Sequence, residues 1–222
     1  MNYRFDIQYD GTRYGGWQRQ KTTDNTIQGK IEEVLFRMTG SPVPIQGAGR
    51  TDAWVHALGQ VANGRFDSRL NCEEICDYMN HYLPEDIEIL RVSQVSERFH
   101  SRLNAKEKLY RYRIGIGSHK NVFERKYICP LHETYDVEAM EKAAGYLTGT
   151  HDFRSFCANK KMKKSTVRTI YEIKITEFPK ELQIDYRGDG FLYNMVRILT
   201  GTLIEIGRGS RKPEEIPVSY TH

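Results

Sequence analysis

The sequence predicts an α+β protein of two ferredoxin-like halves that share one extended, mainly antiparallel sheet. Segments that alternate apolar and polar residues, as half-buried strands do, are interleaved with segments whose apolar residues recur at helical spacing. In the first half their order is β-α-β-β-α-β, the split βαβ pattern, and the second half repeats most of that order. We place the boundary between residues 1–104 and 105–222.

The first half opens with a strand and a helix. Alternation from Asn2 to Tyr9 puts four side chains on one face of the strand: Tyr3, Phe5, Ile7 and Tyr9. Apolar residues between Ile27 and Met38 then recur at helical spacing, and Gly40 provides an end. Three residues can cap the start of this helix: Asp24, Asn25 and Thr26.

Two further strands, a helix and a last strand complete the first half. Residues 43–48 and 59–66 have strand patterns and bracket a loop. Asn71 with Glu74 has the spacing of a capping box, which predicts a helix to about Tyr82, before Pro84. Alternation over Ile87 to Val95 predicts the final strand.

The second half repeats this plan except for its last strand. The predicted elements are a strand, a helix, two strands and a helix, at residues 106–116, 137–147, 167–178, 181–187 and 191–206. The remaining segment, KPEEIPVSYTH, is too short and polar to supply another strand. We therefore expect a second half that is truncated, with an exposed sheet edge.

Composition excludes several classes of protein. The hydrophobic fraction of 39% and charged fraction of 28% are typical of globular proteins, and no apolar run approaches the length of a membrane helix, about 20 residues. The first residues do not resemble a secretory signal, which predicts a cytoplasmic location. The four cysteines have neither CxxC nor zinc-ligand spacing, so we predict no metal and no disulfide.

Basic residues are clustered although the net charge is only +4. One cluster comprises Arg98, Arg102, Lys106, Lys108, Arg111 and Arg113, and another comprises Lys160, Lys161, Lys163 and Lys164. Tyrosines lie near the first cluster. Such clusters are typical of an RNA-binding face, but a solvated surface has the same appearance, and residue types alone leave both interpretations open.

The segment QGAGRTDAWVHALGQV, residues 46–61, has the pattern of an active loop between two strands. Its glycines permit tight turns, and Arg50 and Asp52 bring opposite charges to a loop that strands can hold. By residue type alone, Asp52 is either a turn residue or a catalytic carboxylate.

The segment GAGRTDAWVHALGQVA closely resembles the signature of the tRNA pseudouridine synthase A family. Four other segments are also similar to that family: FHSRLNAKEKLYRYRI, HDFRSFC, VRTIYEI and GDGFLYNMVRILTG. The resemblance implies conversion of uridine to pseudouridine at positions 38, 39 and 40 of the tRNA anticodon arm. It also implies a homodimer without a cofactor, with the active-site cleft between the two halves facing tRNA.

The resemblance assigns roles to four residues. It makes Asp52 the catalytic carboxylate, Tyr110 the aromatic residue on the target base and Arg197 the ion-pair partner of Asp52. Arg50 is implied to contact the extruded nucleotide or its phosphate. The residues taken alone allow plainer interpretations, since Tyr110 lies in an alternating strand and Arg197 on an apolar helix. The histidines His56, His100 and His151 are expected to be structural or to contact RNA.

The implied reaction needs one carboxylate. The N1 glycosidic bond must break, the uracil must turn, and C5 must join the sugar; Asp52 attacks either C1′ or C6, and the sequence leaves both open. Flipping the base costs a few kcal/mol, which stacking on Tyr110 and phosphate contacts would offset. Arg197 would keep Asp52 ionised, and Tyr110 is a candidate to move the C5 proton.

Trp54 departs from the family pattern, which usually has glycine at this place beside the catalytic Asp. A bulky indole would narrow the pocket, or would need another backbone conformation if that glycine has positive φ. One alternative is therefore a catalytically impaired RNA-binding protein or RNA chaperone. Another is a pseudouridine synthase that acts on a different RNA.

The loop after the first strand contains the segment GWQ, residues 16–18, which is similar to a segment of the family. Its Trp17 is expected either to border the cleft or to cover the core.

Overall fold

A computed structural model describes residues 1–118, 121–159 and 161–219. Two compact units are present, Met1–Ala105 and Lys106–His222, and each contains one β-sheet with helices. The strands and helices of the first unit are β1 (Asn2–Tyr9), α1 (Ile27–Thr39), β2 (Ile45–Gly47), β3 (Ala57–Arg65), α2 (Cys72–Tyr82) and β4 (Ile87–Val95). Lys160 of the second basic cluster and residues 220–222 of the terminal segment lie outside the described residues.

The first sheet has the strand order β2-β3-β1-β4, and every pairing is antiparallel. Strand β1 lies inside the sheet, where both of its edges are paired along most of its length. The predicted apolar face of β1 is confirmed, because all four of its members are buried: Tyr3, Phe5, Ile7 and Tyr9. This face forms the centre of the first hydrophobic core.

Both helices of the first unit begin at the predicted capping residues. The Thr26 hydroxyl accepts the Gly29 N–H at 3.1 Å, which selects Thr26 among the three candidates. Gly40 ends α1 with a φ of 71°, in the left-handed region that glycine favours. The capping box of α2 is confirmed, since Asn71 accepts from Glu74 N–H at 3.0 Å and Glu74 accepts from Asn71 N–H at 2.8 Å.

A buried polar network attaches the segment after β4 to the first sheet. Asn63 donates its amide to Asn2 Oδ1 at 3.1 Å and accepts the Ser101 N–H at 2.9 Å. Asn2 in turn donates to the carbonyls of Ser96 at 2.9 Å and Phe99 at 3.0 Å. Asn2, Asn63 and Ser101 are at most 5% exposed, so each lost bond would leave a buried group without a partner.

The second unit has a five-stranded sheet of order β6-β5-β9-β8-β7. Its strands and helices are β5 (Lys108–Ile116), β6 (Cys129–Glu133), α3 (Val137–Leu147), β7 (Gly149–Asp152), β8 (Val167–Phe178), β9 (Glu181–Gly188), α4 (Met195–Gly207) and α5 (Ile216–Ser219). The predictions of β5, α3, β8 and β9 are confirmed to within two residues. Tyr186 on β9 and Thr200 on α4 share a buried hydroxyl–hydroxyl bond of 2.9 Å between sheet and helix.

Three features differ from the sequence predictions. The described strands form two hydrogen-bonded sheets, one in each unit, where one extended sheet was predicted. Strands β6 and β7 were not predicted, because both are short and neither alternates over enough residues to give a signal. Helix α4 begins at Met195 and not at residue 191, because Asn194 has a φ of 57° and interrupts helical geometry.

The buried network predicts that replacing a buried amide side chain lowers the free energy of unfolding far more than replacing an exposed one. Asn63→Leu should lower the free energy of unfolding by about 1–3 kcal/mol, because it leaves the Ser101 N–H without an acceptor and Asn2 with one partner fewer. Urea denaturation of the full chain measures the change. Gln94→Ala, at an exposed position of β4, is the control. Equal losses in both variants would contradict a stabilising role for the network.

Candidate active site

The loop between β2 and β3 carries Arg50 and Asp52 and is anchored at its start by strand pairing. The Ala48 N–H donates to the Val61 carbonyl at 2.7 Å, which extends the β2–β3 ladder into the loop. The Gln60 side chain accepts from Gly49 N–H at 3.3 Å and donates to Gly49 O at 3.1 Å. These bonds fix the backbone immediately before Arg50.

The segment after β1 anchors the middle of the loop. The Trp17 N–H donates to the Thr51 carbonyl at 3.0 Å, and the hydroxyls of Tyr9 and Thr51 are 2.8 Å apart. Gly16 permits this approach, because a Cβ there would lie 2.7 Å from the Thr51 oxygen. The Trp17 side chain is only 1% exposed and packs on Gly47, so the core-covering interpretation of Trp17 is confirmed.

His56 lies at the far end of the loop. Its Nδ1 is 2.9 Å from Asp10 Oδ1 and 3.1 Å from the Gly11 nitrogen. Gly11 also packs against the loop backbone, where an added Cβ would be 2.1 Å from the Val55 oxygen. These contacts give His56 a structural role in holding the loop.

Asp52 is therefore presented from a backbone that is fixed on both sides. Its carbonyl accepts the Val55 N–H at 3.2 Å, which closes a turn over Ala53 and Trp54. The side chain is half-buried, and no donor among the described residues of its own unit bonds its carboxylate. A carboxylate held in this way can act on a substrate as a nucleophile or a base.

Trp54 has a φ of 66°, so the indole is carried on a positive-φ backbone and not on another backbone conformation. In the turn from Asp52 to Val55 the third residue, Trp54, has a positive φ, whereas the second residue, Ala53, does not. This is the geometry of a type II turn, whose third position favours glycine. A bulky residue there costs about 1–3 kcal/mol of strain. The indole is 75% exposed.

Arg102 joins Arg50 at this loop. The Ser101 hydroxyl donates to the Gln46 carbonyl, and the Arg102 guanidinium lies 3.4 Å from the Gly47 carbonyl. Burial, together with the positive charge of Arg50, lowers the pKa of Arg102 below its ordinary value. Neither arginine has an acidic partner within 4 Å among the described residues of the first unit. Guanidinium groups without an acidic partner suit anions, since a phosphate accepts bidentate bonds from arginine.

The other two predicted site residues belong to the second unit. Tyr110 is half-buried on β5, opposite Tyr186 in the ladder, and its ring meets Phe191 edge-on at 5.2 Å. Arg197 is exposed in the first turn of α4. A cation at that end of a helix opposes the helix dipole, and Arg197 has no acidic partner among the described residues of its own unit. Its position therefore contributes nothing favourable to helix stability. Its pairing with Asp52 stays a prediction.

The described residues contain neither a cluster of metal ligands nor a helix suited to crossing a membrane. No group of three His, Cys, Asp or Glu side chains in that part of the chain could hold a metal ion. None of the helices found there has the length and apolar character that crossing a bilayer requires.

Comparison with known proteins gives a family. The family profile described as tRNA pseudouridine synthase matches residues 7–104 and 143–219. A tRNA pseudouridine synthase A of Bacillus sp. (strain KSM-64) is 48% identical over 215 residues, which cover 97% of this chain and 88% of that protein. A tRNA pseudouridine synthase A 1 of Clostridium tetani is 46% identical with the same coverage, and a tRNA pseudouridine synthase A of Bacillus pumilus is 43% identical over 97% and 88%. With the Asp52 loop inside the first matched region, the chain belongs to the tRNA pseudouridine synthase family.

Proposed function

We propose that the protein converts uridine to pseudouridine in the tRNA anticodon arm, at positions 38, 39 and 40, with Asp52 as the catalytic carboxylate. The observation that carries this proposal is the 48% identity to a tRNA pseudouridine synthase A over 97% of the chain, together with a family profile whose first matched region includes the loop that holds Asp52. The loop geometry supports it, because Thr51 and His56 are both bonded to the segment after β1. Asp52 lies between these two residues, and no hydrogen-bond donor among the described residues of the first unit contacts its carboxylate.

In the proposed reaction Asp52 attacks C1′ of the sugar or C6 of the uracil. The N1–C1′ bond breaks, the base turns, a C5–C1′ bond forms, and the C5 proton leaves while N1 gains a proton. The two points of attack lead to the same product with balanced atoms. Arg197 is proposed to pair with Asp52 and keep it ionised, and Tyr110 to pack on the base and move the C5 proton.

The position of Arg197 supports this role. A guanidinium in the first turn of a helix lacks the stabilising interaction that a carboxylate would have there. A negatively charged partner would remove that disadvantage, and Asp52 is the proposed partner. Tyr110 is supported by its contact with Phe191, which holds the ring edge-on and limits its rotation.

Arg50 and Arg102 are proposed to bind a phosphate of the RNA backbone beside the target nucleotide. Their positive charges lie close enough to affect the pKa of Arg102. A phosphate between them would replace repulsion with two charge-assisted interactions. Lysine and arginine contacts to phosphates supply most of the affinity in RNA binding that does not depend on sequence.

The proposal retains the remaining features implied by the family: two ferredoxin-like halves, a homodimer, a cytoplasmic location and no cofactor. The strand order β2-β3-β1-β4 of the first unit, with a helix before β2 and before β4, supports the ferredoxin-like assignment of that half. The second candidate is an RNA-binding protein without turnover. The strained Trp54 beside Asp52 is the observation that favours it.

Turnover tests the role of Asp52 directly. Asp52→Asn should reduce pseudouridine in an unmodified tRNA transcript at least about a thousandfold, because the nucleophile is lost while shape is retained. Pseudouridine is mapped by position in the transcript, and tRNA affinity is measured in parallel. Asp77→Asn, an exposed change on α2, is the matched control. Binding without product from the unmodified chain would favour the second candidate.

The salt dependence of tRNA affinity tests the phosphate site. Arg50→Gln or Arg102→Gln should each lower the slope of log affinity against log salt by about 1, the value for one lost phosphate contact. Arg37→Gln on α1 serves as a control, since Arg37 packs over Tyr82 on the helical side of the sheet. An unchanged slope in both site variants would exclude the phosphate contact.

A further inference from the structure

Trp54 has a backbone conformation that its side chain disfavours. Among the described residues, Trp54 and Asn194 are the non-glycine residues with positive φ. Asparagine tolerates the left-handed region because its short polar side chain fits there, whereas a bulky aromatic residue is strained. The strain therefore belongs to this particular side chain, and a glycine would remove it.

The folded unit gains nothing visible from the indole. Its exposed fraction is 75%, whereas Trp17, the other tryptophan, is 1% exposed in the core. No hydrogen bond, ring contact or cation–π contact of Trp54 is present among the described residues. A strained residue with so exposed a side chain gains little from packing, and such residues cluster at functional sites.

The backbone that carries the indole is nevertheless fixed. It occupies the turn that the Val55 N–H closes onto the Asp52 carbonyl, so it stands two residues from the proposed nucleophile. The turn itself is fixed at Thr51 by Trp17 and at His56 by the segment after β1. An aromatic ring on a rigid turn loses little conformational entropy when it binds a partner.

The surroundings of Trp54 indicate the chemistry of that partner. The same loop carries Arg50 as well as Asp52, and Arg102 lies nearby; neither guanidinium pairs with an acidic side chain in the described part of this unit. A polyanion with flat apolar faces would pair with the two arginines and stack on the indole. A single-stranded or unstacked stretch of RNA has these properties, and aromatic stacking on its bases is tolerant of sequence.

We propose that Trp54 stacks on a base of the bound tRNA next to the nucleotide that Asp52 attacks, a role that rests on the proposed function. The ring replaces stacking that the RNA loses when the target base leaves its helix or loop. The strain in the free protein is the cost of placing an indole where glycine would fit. Trp54 therefore lowers the stability of the free protein and raises its affinity for RNA.

Two substitutions separate stacking from a structural role. Trp54→Gly removes both strain and stacking, so the midpoint of urea unfolding should rise while tRNA affinity falls about 5- to 100-fold. Trp54→Phe keeps an aromatic ring and the strain, so it should bind tRNA far more tightly than Trp54→Gly. Phe36→Ala, an exposed change on α1, controls for general loss of apolar surface. All affinities are measured on unmodified transcript in the Asp52→Asn background, which prevents turnover.

Tryptophan emission gives a second, direct readout, because one of the two tryptophans is buried and the other exposed. Adding tRNA should quench the emission of the Asp52→Asn chain and leave that of its Trp54→Phe variant unchanged. Three results would each overturn the stacking role. They are equal quenching in both chains, equal tRNA affinities of Trp54→Gly and the parent, and an emission change that depends on protein concentration in the absence of RNA. If the unmodified chain still forms pseudouridine in that case, the proposed function stands without this inference.

Discussion

The hydrogen bond from the Trp17 N–H to the Thr51 carbonyl is the interaction on which the geometry of the Asp52 loop depends. The donor is the backbone N–H of Trp17, whose side chain is buried in the first core, so the bond ties the loop at the surface to a residue fixed by close packing. Glycines at positions 11, 16 and 47 make this possible, because any side chain there would collide with the loop or the indole. Asp52 is held by packing that begins well away from its carboxylate.

The same unit uses buried polar groups to place positive charge near that loop. Asn2 and Asn63 bind the backbone of the segment after β4, and Ser101 continues the bonds to β2. Arg102 follows Ser101 directly and is thereby brought towards Arg50. Buried networks of this kind stabilise one arrangement strongly, because each member left unsatisfied is costly. Positioning of Arg102 is therefore coupled to the correct folding of the sheet.

Long periodic elements could be predicted from the sequence, and features created by tertiary contact could not. The bounds of β1, β4, α3 and β8 follow from alternation or helical spacing, whereas β6 and β7 are too short to show either. The Asp52 loop was found through its similarity to a family, since Asp52 alone is indistinguishable from a turn residue. The sequence left the backbone conformation at Trp54 open, and Arg50 and Arg102 are distant in sequence, so both features needed the fold.

The closeness of Arg50 and Arg102 has a thermodynamic consequence for the whole chain. The positive charge of Arg50 disfavours the charged form of Arg102 in the folded state, and the unfolded chain lets the two charges separate. A polyanion that binds between them acts only on the folded form, so its binding free energy adds to the free energy of unfolding. In the proposed complex a backbone phosphate at Arg50 and Arg102 would offset this repulsion, so RNA binding would raise the free energy of unfolding of the chain.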